Sequence, residues 1–382
     1  MRIVVSAGHD DRPAGPVFVR APEFDIQELP GLLLLDEVGQ TTTPCQVDDR
    51  GRLVWWCEAI AAGESRTFQV CAADADAEDQ PVTVVPADSD RIAVRDRHGL
   101  LTEYVYGKGR VRPILYPLND TRGECVTRHY PMKQVDGETD DHVHHRSCWV
   151  AWGDVNGVDH WSEEEGHGWQ RHRVFTHLAS GPVCGVLAAV IDWTTDGGER
   201  QLVEHRTYRF YNAPSELRVF DLTVRMMLTD GDVCFGDTKE GGICSIRVAT
   251  SMDGDKGGHF VTGAGARGEA DGWGKPAPWC DYVGPIAGET VGIAVLDDPG
   301  NFRHPTPWHV RDYGLMTANP FGLSHFTGDA SNDGSHTWRG GETVVWRYRV
   351  MIHPGDTDQA NVAGQYANYA EPVQADVAYE GT

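Results

Sequence analysis

The sequence predicts an all-β protein of short antiparallel strands, arranged in two domains, with one short helix near the C-terminus. Apolar and polar residues alternate over strand-length segments, and clusters of Pro, Gly and Asp separate these segments. Helical periodicity is scarce before Asp356. Because 382 residues exceed the size of one ordinary domain, two domains are expected.

The first 75 residues predict a small β-sandwich. Within it, Ala61–Val70 resembles the last hairpin of an immunoglobulin-like accessory domain. The acidic run Ala72–Pro81 has no periodicity and ends in proline, so a linker is predicted over residues 76–87. The predicted strands of the small domain are Met1–Ser6, Gly15–Val19, Gly31–Leu35, Leu53–Glu58 and Arg66–Cys71.

A second domain is predicted over residues 88–355, as two large curved sheets packed face to face. The segment 356–382 is predicted to contain a helix over Thr357–Tyr369, with Asp356 as its N-cap. The predicted strands of the large domain include Arg91–Asp96, Val105–Tyr116, Val186–Trp193, Leu202–Tyr211, Leu217–Met227, Thr290–Asp297 and Thr343–His353.

The net charge, the lengths of the apolar runs and the absence of certain motifs argue against several classes of partner and cofactor. The formal net charge of −24 repels phosphate backbones and anionic lipids, so neither nucleic acid nor a membrane is expected as a partner. A neutral or cationic ligand is favoured, and sugars are neutral. The longest apolar run, Val183–Ile191, is too short to span a bilayer, and with no visible export signal a cytoplasmic location is expected. The nine scattered cysteines favour reduced thiols, and the missing glycine-rich phosphate motifs favour no nucleotide cofactor.

Histidines concentrate in one segment of the chain. Eight of the 17 lie between His129 and His177, and the densest part is Asp140–Arg146, which reads DDHVHHR. In an extended chain His142 and His144 share one face, so with a carboxylate they could bind Mn²⁺, Zn²⁺ or Ca²⁺. The same imidazoles could act as acid or base, because they titrate near neutrality. A third interpretation is purely structural histidines.

Tryptophans alternate with Asp and Asn just downstream, over Trp149–Trp161. Flat aromatic faces beside short polar side chains suit a sugar ring, which has apolar C–H faces and hydroxyls at its edge. Trp161 and Trp308 are therefore candidates to line a binding site. The alternative is that these rings pack in the β core, as most tryptophans do.

Three further groups of polar residues lie far away in sequence. Phe235–Gly242 places two carboxylates around a lysine between glycines, which predicts either acid–base chemistry or a solvated turn. Asn301–Arg311 combines two histidines, two arginines and a tryptophan on a proline-stiffened loop, which favours function. Asn319 opens a turn and could bind a hydroxyl or carboxylate.

The combination of these motifs is similar to the DUF6807 family, over about residues 88–355. Its members often carry the label "methane oxygenase PmoA-like", which a chain without a spanning segment does not support. The resemblance implies a β-supersandwich related in shape to galactose mutarotase, and an association with sugar oxidoreductases of the Gfo/Idh/MocA type. The motifs are Arg112–Leu118, Thr127–Met132, Asp141–Arg146, Gly153–Gly157, Phe235–Gly242, Arg303–Arg311 and Asn319–Gly322.

With this resemblance, the leading hypothesis is a carbohydrate-active enzyme, a glycoside lyase or hydrolase, that cleaves or rearranges a sugar or glycoside by acid–base chemistry. Elimination from, or hydrolysis of, an oxidised keto-sugar is one form of this hypothesis. The alternatives are a sugar-binding protein without catalysis and a mutarotase-like epimerase. The predicted catalytic residues are His144, His145, Asp237, Glu240 and His304, with His142 and His144 as metal ligands. The predicted substrate-binding residues are Arg146, Trp161, Lys239, Trp308, His309, Arg311 and Asn319.

Overall fold

The computed structural model describes residues 1–20, 31–72 and 80–378, and it confirms the predicted all-β fold class. Its described strands form one seven-stranded sheet, two eight-stranded sheets and a two-stranded ribbon, all antiparallel. All nine cysteines are free thiols. None of the helices in the described ranges has the length and apolar character that crossing a membrane requires.

The strands are numbered here along the chain. They are β1 Arg2–Ser6, β2 Gly15–Arg20, β3 Leu32–Asp36, β4 Thr42–Val47, β5 Arg52–Cys57, β6 Ser65–Ala72, β7 Thr83–Asp88, β8 Arg91–Asp96, β9 Gly99–Val105, β10 Ile114–Leu118, β11 Cys148–Trp152, β12 Trp169–Ala179, β13 Cys184–Thr194, β14 Arg200–Tyr211, β15 Arg218–Met227, β16 Val233–Phe235, β17 Gly241–Arg247, β18 His259–Thr262, β19 Trp279–Ile286, β20 Glu289–Asp297, β21 Trp308–Val310, β22 Leu315–Ala318, β23 His336–Trp338, β24 Thr343–Pro354 and β25 Gln374–Ala378. The helices are α1 Glu269–Gly272, α2 Leu323–Thr327 and α3 Val362–Ala370, with two short 3-10 turns at Thr250–Met252 and Gly254–Lys256.

The seven-stranded sheet has the order β2-β5-β4-β3-β6-β1-β25. It curls so that its edge strands β2 and β25 lie close to each other. Alternate residues of β1 and β3 point inward, and Ile3, Leu34, Trp55 and Phe68 form a separate apolar core. Since β25 pairs with β1, the chain returns from the large domain to complete this sheet.

The two eight-stranded sheets enclose the main core. One has the order β21-β22-β17-β11-β10-β9-β8-β7, and the other β12-β13-β14-β15-β24-β20-β19-β18. Val150 and Cys244 from the first sheet share one buried cluster with Leu187 and Tyr208 from the second. Burial of this apolar surface stabilises the pair of sheets and leaves the loops at their margins available for polar chemistry.

Three predicted boundaries were wrong. Residues 83–87, predicted as linker, belong to β7, which pairs with β8, while 73–79 lie outside the described residues. The single strand predicted over Val105–Tyr116 is divided between β9 and β10, because Gly109 has a left-handed φ of 85° and the chain turns there. The last helix begins at Val362, since the side chain of Asn361, and not Asp356, accepts the capping hydrogen bond from Gly364 N.

The curled sheet docks on the large domain through apolar and polar contacts. Trp56 of β5 packs edge-on against Tyr211 of β14, with ring centroids 6.3 Å apart. The Gln46 side-chain oxygen accepts hydrogen bonds from the backbone N–H groups of Val183 and Cys184, both at 2.9 Å. These contacts fix the curled sheet against β13 and β14, the side of the second sheet nearest to it.

We predict that Leu34→Ala lowers the free energy of unfolding by about 3 kcal/mol, because it leaves a cavity in the core of the small domain. Leu34 is fully buried, whereas Val38 is 84% exposed. The matched control Val38→Ala should therefore change stability by no more than about 0.5 kcal/mol. Denaturant unfolding measures both, and equal effects of the two variants would contradict a separate packed core.

Candidate functional site

The histidine-rich loop connects β10 to β11 and is not extended. His142 has a left-handed φ of 43°, and His145 N donates to His142 O at 2.9 Å, so the backbone turns at this point. The prediction that His142 and His144 share one strand face was therefore wrong. Their rings still lie close, with centroids 5.7 Å apart and planes at 83°.

Two buried arginines bind the backbone of this loop. Arg112 Nη1 donates to His144 O at 3.2 Å, and Arg128 Nη2 donates to His142 O at 3.0 Å. Both side chains come from neighbouring segments and are essentially inaccessible to solvent. Because losing the partner of a buried guanidinium donor is costly, these bonds fix the loop carbonyls in place.

A third buried arginine, Arg247 at the end of β17, fixes His145. Its Nη1 donates to His145 Nδ1 at 3.1 Å, so Nδ1 carries the lone pair and the ring proton is on Nε2. Its Nη2 donates to Asp141 at 3.0 Å, and Arg128 also pairs with that carboxylate. Burial, with the repulsion between protonated His144 and His145 and the charge of Arg247, holds the pKa of His145 well below its usual range. His145 is therefore a neutral, buried support of the loop.

His144 is half-buried above Trp161, with ring centroids 5.9 Å apart. Burial lowers the pKa of His144 to about 4, and Arg112 and His142 lower it further, against the opposing charges of Glu163 and Glu240. At neutral pH this imidazole is neutral and can accept a proton.

Glu240 connects the histidine loop to the segment between β16 and β17. Burial disfavours its ionised form, but Lys239, with which it pairs, lowers the pKa of Glu240 below its usual range, and His309 and His144 lower it further. The segment that carries Glu240 also meets β21, because the backbone carbonyl of the preceding residue, Lys239, accepts a hydrogen bond from His309. Glu240 is therefore an ionised proton acceptor at neutral pH.

His309 of β21 borders the same carboxylate. Its Nδ1–H donates to Lys239 O at 2.5 Å, which leaves the lone pair on Nε2. This Nε2 is buried and has no hydrogen-bond partner among the described residues. Burial lowers the pKa of His309 to about 4, although the carbonyl of Lys239 and the carboxylate of Glu240 oppose this shift.

Tyr313, in the turn between β21 and β22, is a site residue that the sequence reasoning missed. Its ring stacks on His142 at 5.2 Å and lies 4.8 Å from the Arg247 guanidinium and 5.3 Å from that of Arg311. Burial raises the pKa of Tyr313 to about 12, so its hydroxyl is protonated at neutral pH and can donate. The sequence signal that could have identified Tyr313 is its position two residues after Arg311, a predicted substrate-binding residue.

The predicted sugar-stacking role of two tryptophans is contradicted by their burial. Trp308 has no exposed surface, and its Nε1–H donates to Ala277 O at 2.9 Å within the main core. Trp161 is also fully buried, packed against His145 and Trp149. Trp161 therefore supports the histidine loop from below, and Trp308 is part of the interior.

Asn319 and Asp237, predicted as site residues, serve the surrounding loops instead. Asn319 is fully buried; its amide donates to the carbonyls of Thr238 and Lys239, and its oxygen accepts from the next backbone N–H groups. It therefore holds the loop that carries Glu240. Asp237 Oδ2 accepts from Ser324 N at 3.1 Å near the start of α2, and from the backbone N of residue 334.

His304, a predicted acid, lies in a different hydrogen-bonded group. Its Nδ1 is 2.8 Å from Asp297 Oδ2, and its Nε2 is 3.3 Å from the Tyr366 hydroxyl of α3. Arg146, a predicted substrate binder, is held by two bonds of 2.7 and 2.6 Å to Glu163. Neither side chain contacts Glu240 through a described hydrogen bond or ion pair.

A metal site is not preformed in the described part of the chain, where no three His, Cys, Asp or Glu side chains converge as ligands. His142 and His144 are neighbours, but His142 Nδ1 lies 2.6 Å from Asp141 Oδ2. A metal at this pair remains a prediction, and elemental analysis of the purified protein is its direct test.

The fold and site define a class of all-β protein in which buried arginines hold a histidine-rich loop between two strands of one sheet. The chain belongs to a family of unknown function, DUF6807, whose profile matches residues 91–367. None of the curated proteins matches this sequence.

Several solved structures of low sequence identity are similar to this chain. An alpha-mannosidase from Enterococcus faecalis V583 shares 10% identity over 100% of this chain and 46% of its own, with a TM-score of 0.42. A glycosyl hydrolase family 38 protein from Enterococcus faecalis shares 8% sequence identity over 99% of this chain and 47% of its own, with a TM-score of 0.37. Galactose 1-epimerase from Lactobacillus acidophilus NCFM shares 9% sequence identity over 72% of this chain and 98% of its own, with a TM-score of 0.32. This chain spans about half the length of the two Enterococcus chains.

We predict that the free energy of unfolding decreases as pH falls from about 6.5 to about 4. Burial lowers the pKa values of His144, His160, His172 and His309 to about 4, whereas in the unfolded chain they titrate near 6.5. The unfolded state therefore binds more protons in this range, so stability is full above pH 6.5 and is lost toward pH 4. Urea unfolding across this range measures the slope.

The variant His309→Asn isolates one of these groups. Asparagine keeps a donor near Lys239 O but does not titrate, so the loss of stability between pH 6.5 and 4 should be smaller than in the wild type. An identical slope in both proteins would contradict a lowered pKa at His309.

Proposed function

We propose that this protein is a carbohydrate-active enzyme that uses acid–base chemistry at the cluster of His144, Glu240 and Tyr313. The observation that carries the proposal is the meeting of three segments: the ring of His142 lies 5.7 Å from that of His144 and 5.2 Å from that of Tyr313, and His309 donates to the carbonyl of Lys239, next to Glu240 in the chain. The proton affinities of the groups differ in the same direction as their roles. The pKa values of His144 and Glu240 are lowered, and that of Tyr313 is raised to about 12. Such divergent shifts within one cluster are typical of catalytic acid–base groups.

The protonation states assign the roles. At neutral pH, His144 and Glu240 accept protons, whereas Tyr313 donates one. When a proton leaves, the phenolate of Tyr313 is stabilised by the guanidiniums of Arg247 and Arg311, which lie 4.8 and 5.3 Å from its ring centroid. The cluster therefore contains a base and an acid, as bond cleavage in a sugar requires.

The reaction that suits these groups is elimination from a glycoside oxidised to a ketone. The ketone acidifies the neighbouring C–H, and Glu240 or His144 removes that proton. The C–H electron pair forms the new C=C bond while the bond to the leaving oxygen breaks, and Tyr313 protonates that oxygen. Lys239 and Arg311 bind the sugar or its carbonyl oxygen. A keto-sugar substrate would be supplied by a sugar oxidoreductase of the Gfo/Idh/MocA type, the functional partner implied by the family resemblance.

We predict that Glu240→Gln and Tyr313→Phe each reduce turnover of keto-glycosides by roughly 100-fold or more, because each removes an acid–base group but little volume. His177→Gln, at an exposed position of β12, should retain wild-type turnover. Turnover is measured by mass spectrometry of the products.

The products distinguish the possible reactions. Elimination yields an unsaturated sugar, hydrolysis adds one water, and epimerisation leaves the mass unchanged. Unchanged turnover in Glu240→Gln would contradict the assigned cluster. Binding of sugars by the wild type with no turnover of any of them would favour the alternative of a sugar-binding protein.

A further inference from the structure

A small cavity beside the histidine loop has three arginines in its wall. Its volume is about 80 Å³, and it is lined by Gly109, Arg110, Val111, Arg112, Ile114 and Arg146. Three arginine residues along so small a space are unexpected in a chain of formal net charge −24. The apolar members of the wall exclude water and so strengthen any charge interaction within the cavity.

The positive charge of this group is only partly neutralised. Glu163 pairs with Arg146 through bonds of 2.7 and 2.6 Å and with Arg112 at 3.1 Å. Thus one carboxylate serves two guanidiniums. The side chain of Arg110 makes no hydrogen bond or ion pair with any residue in the described ranges, although it is half-buried.

Free donors remain on the buried arginine as well. Arg112 is 1% exposed, and its Nε–H has no acceptor among the residues that the structure describes. Burial lowers the pKa of Arg110, and the like charges of Arg146 and Arg91 lower it further, against the weaker opposing charge of Asp90. An anion in the cavity would relieve this repulsion and pair with the guanidinium of Arg110.

The cavity adjoins the acid–base cluster through two of its arginines. Arg112 donates to His144 O at 3.2 Å, and Arg146 follows His144 by two residues. The cavity therefore lies next to the backbone of the segment that carries His144, within reach of a sugar that occupies both sites. Arg146 binds the carboxylate of Glu163 through two parallel N–H groups of its planar guanidinium. This geometry matches a second planar carboxylate better than a tetrahedral phosphate.

We propose that this cavity, termed the arginine pocket and defined by Arg110, Arg112 and Arg146, binds the carboxylate of an acidic sugar. The assignment rests on the proposed function at His144 and Glu240 and names its substrate class as a uronic or aldonic acid derivative. The net charge of the whole chain favours a neutral or cationic ligand. The local charge at this pocket is positive and favours an anion.

Isothermal titration calorimetry at low ionic strength tests the proposal with sodium glucuronate, glucose and inorganic phosphate as probes. We expect the wild type to bind glucuronate at least about tenfold more tightly than glucose. Arg110→Gln should abolish this preference. Arg225→Gln makes the same charge change at an exposed position of β15 outside the pocket, and it should retain the preference.

The outcomes separate this proposal from the proposed function. Equal binding of glucuronate and glucose by the wild type, or an unchanged preference in Arg110→Gln, would overturn the arginine pocket. Tight binding of phosphate without glucuronate would overturn the assignment to a carboxylate. Glu240→Gln should retain the preference for glucuronate, because binding needs no proton transfer, so a failure of catalysis would not affect this measurement.

Discussion

The arrangement of the site depends on buried guanidiniums that bind the carbonyls and carboxylates of one loop. Arg112, Arg128 and Arg247 lie almost completely out of solvent, where an unpaired charge would be very unfavourable. Their partners are loop carbonyls, Asp141, Glu163 and the ring of His145. These bonds fix the loop carbonyls, so His144 is held in place without a regular helix or strand.

The same charges determine the chemistry of the site. Burial and positive neighbours keep His144 neutral. The pairing with Lys239 keeps Glu240 ionised, and burial keeps Tyr313 protonated. One set of physical causes thus produces bases and an acid side by side. The second sheet contributes none of these three side chains and supports the site through the core that it shares with the first sheet, whereas the curled N-terminal sheet has its own core.

Local patterns predicted the strands well, because alternation and turn residues are local. The predicted β8 boundaries, Arg91–Asp96, agree with the structure, and β24 agrees within one residue. Burial of Trp308 could not be read from its neighbours, since it depends on packing against distant strands. His144, Glu240 and His309 were identified from local motifs and the family resemblance, but their meeting depends on long-range contacts, as does the support from Arg247.

The central claim is that His144 and Glu240 interact within one buried, positively supported cluster. The most direct measurement is an NMR titration of the His144 imidazole in the wild type and in Glu240→Gln. The midpoint should lie near pH 4 in the wild type and lower in the variant, because the Glu240 carboxylate opposes the lowering of the pKa of His144. A midpoint near 6.5 that does not respond to Glu240→Gln would contradict the account.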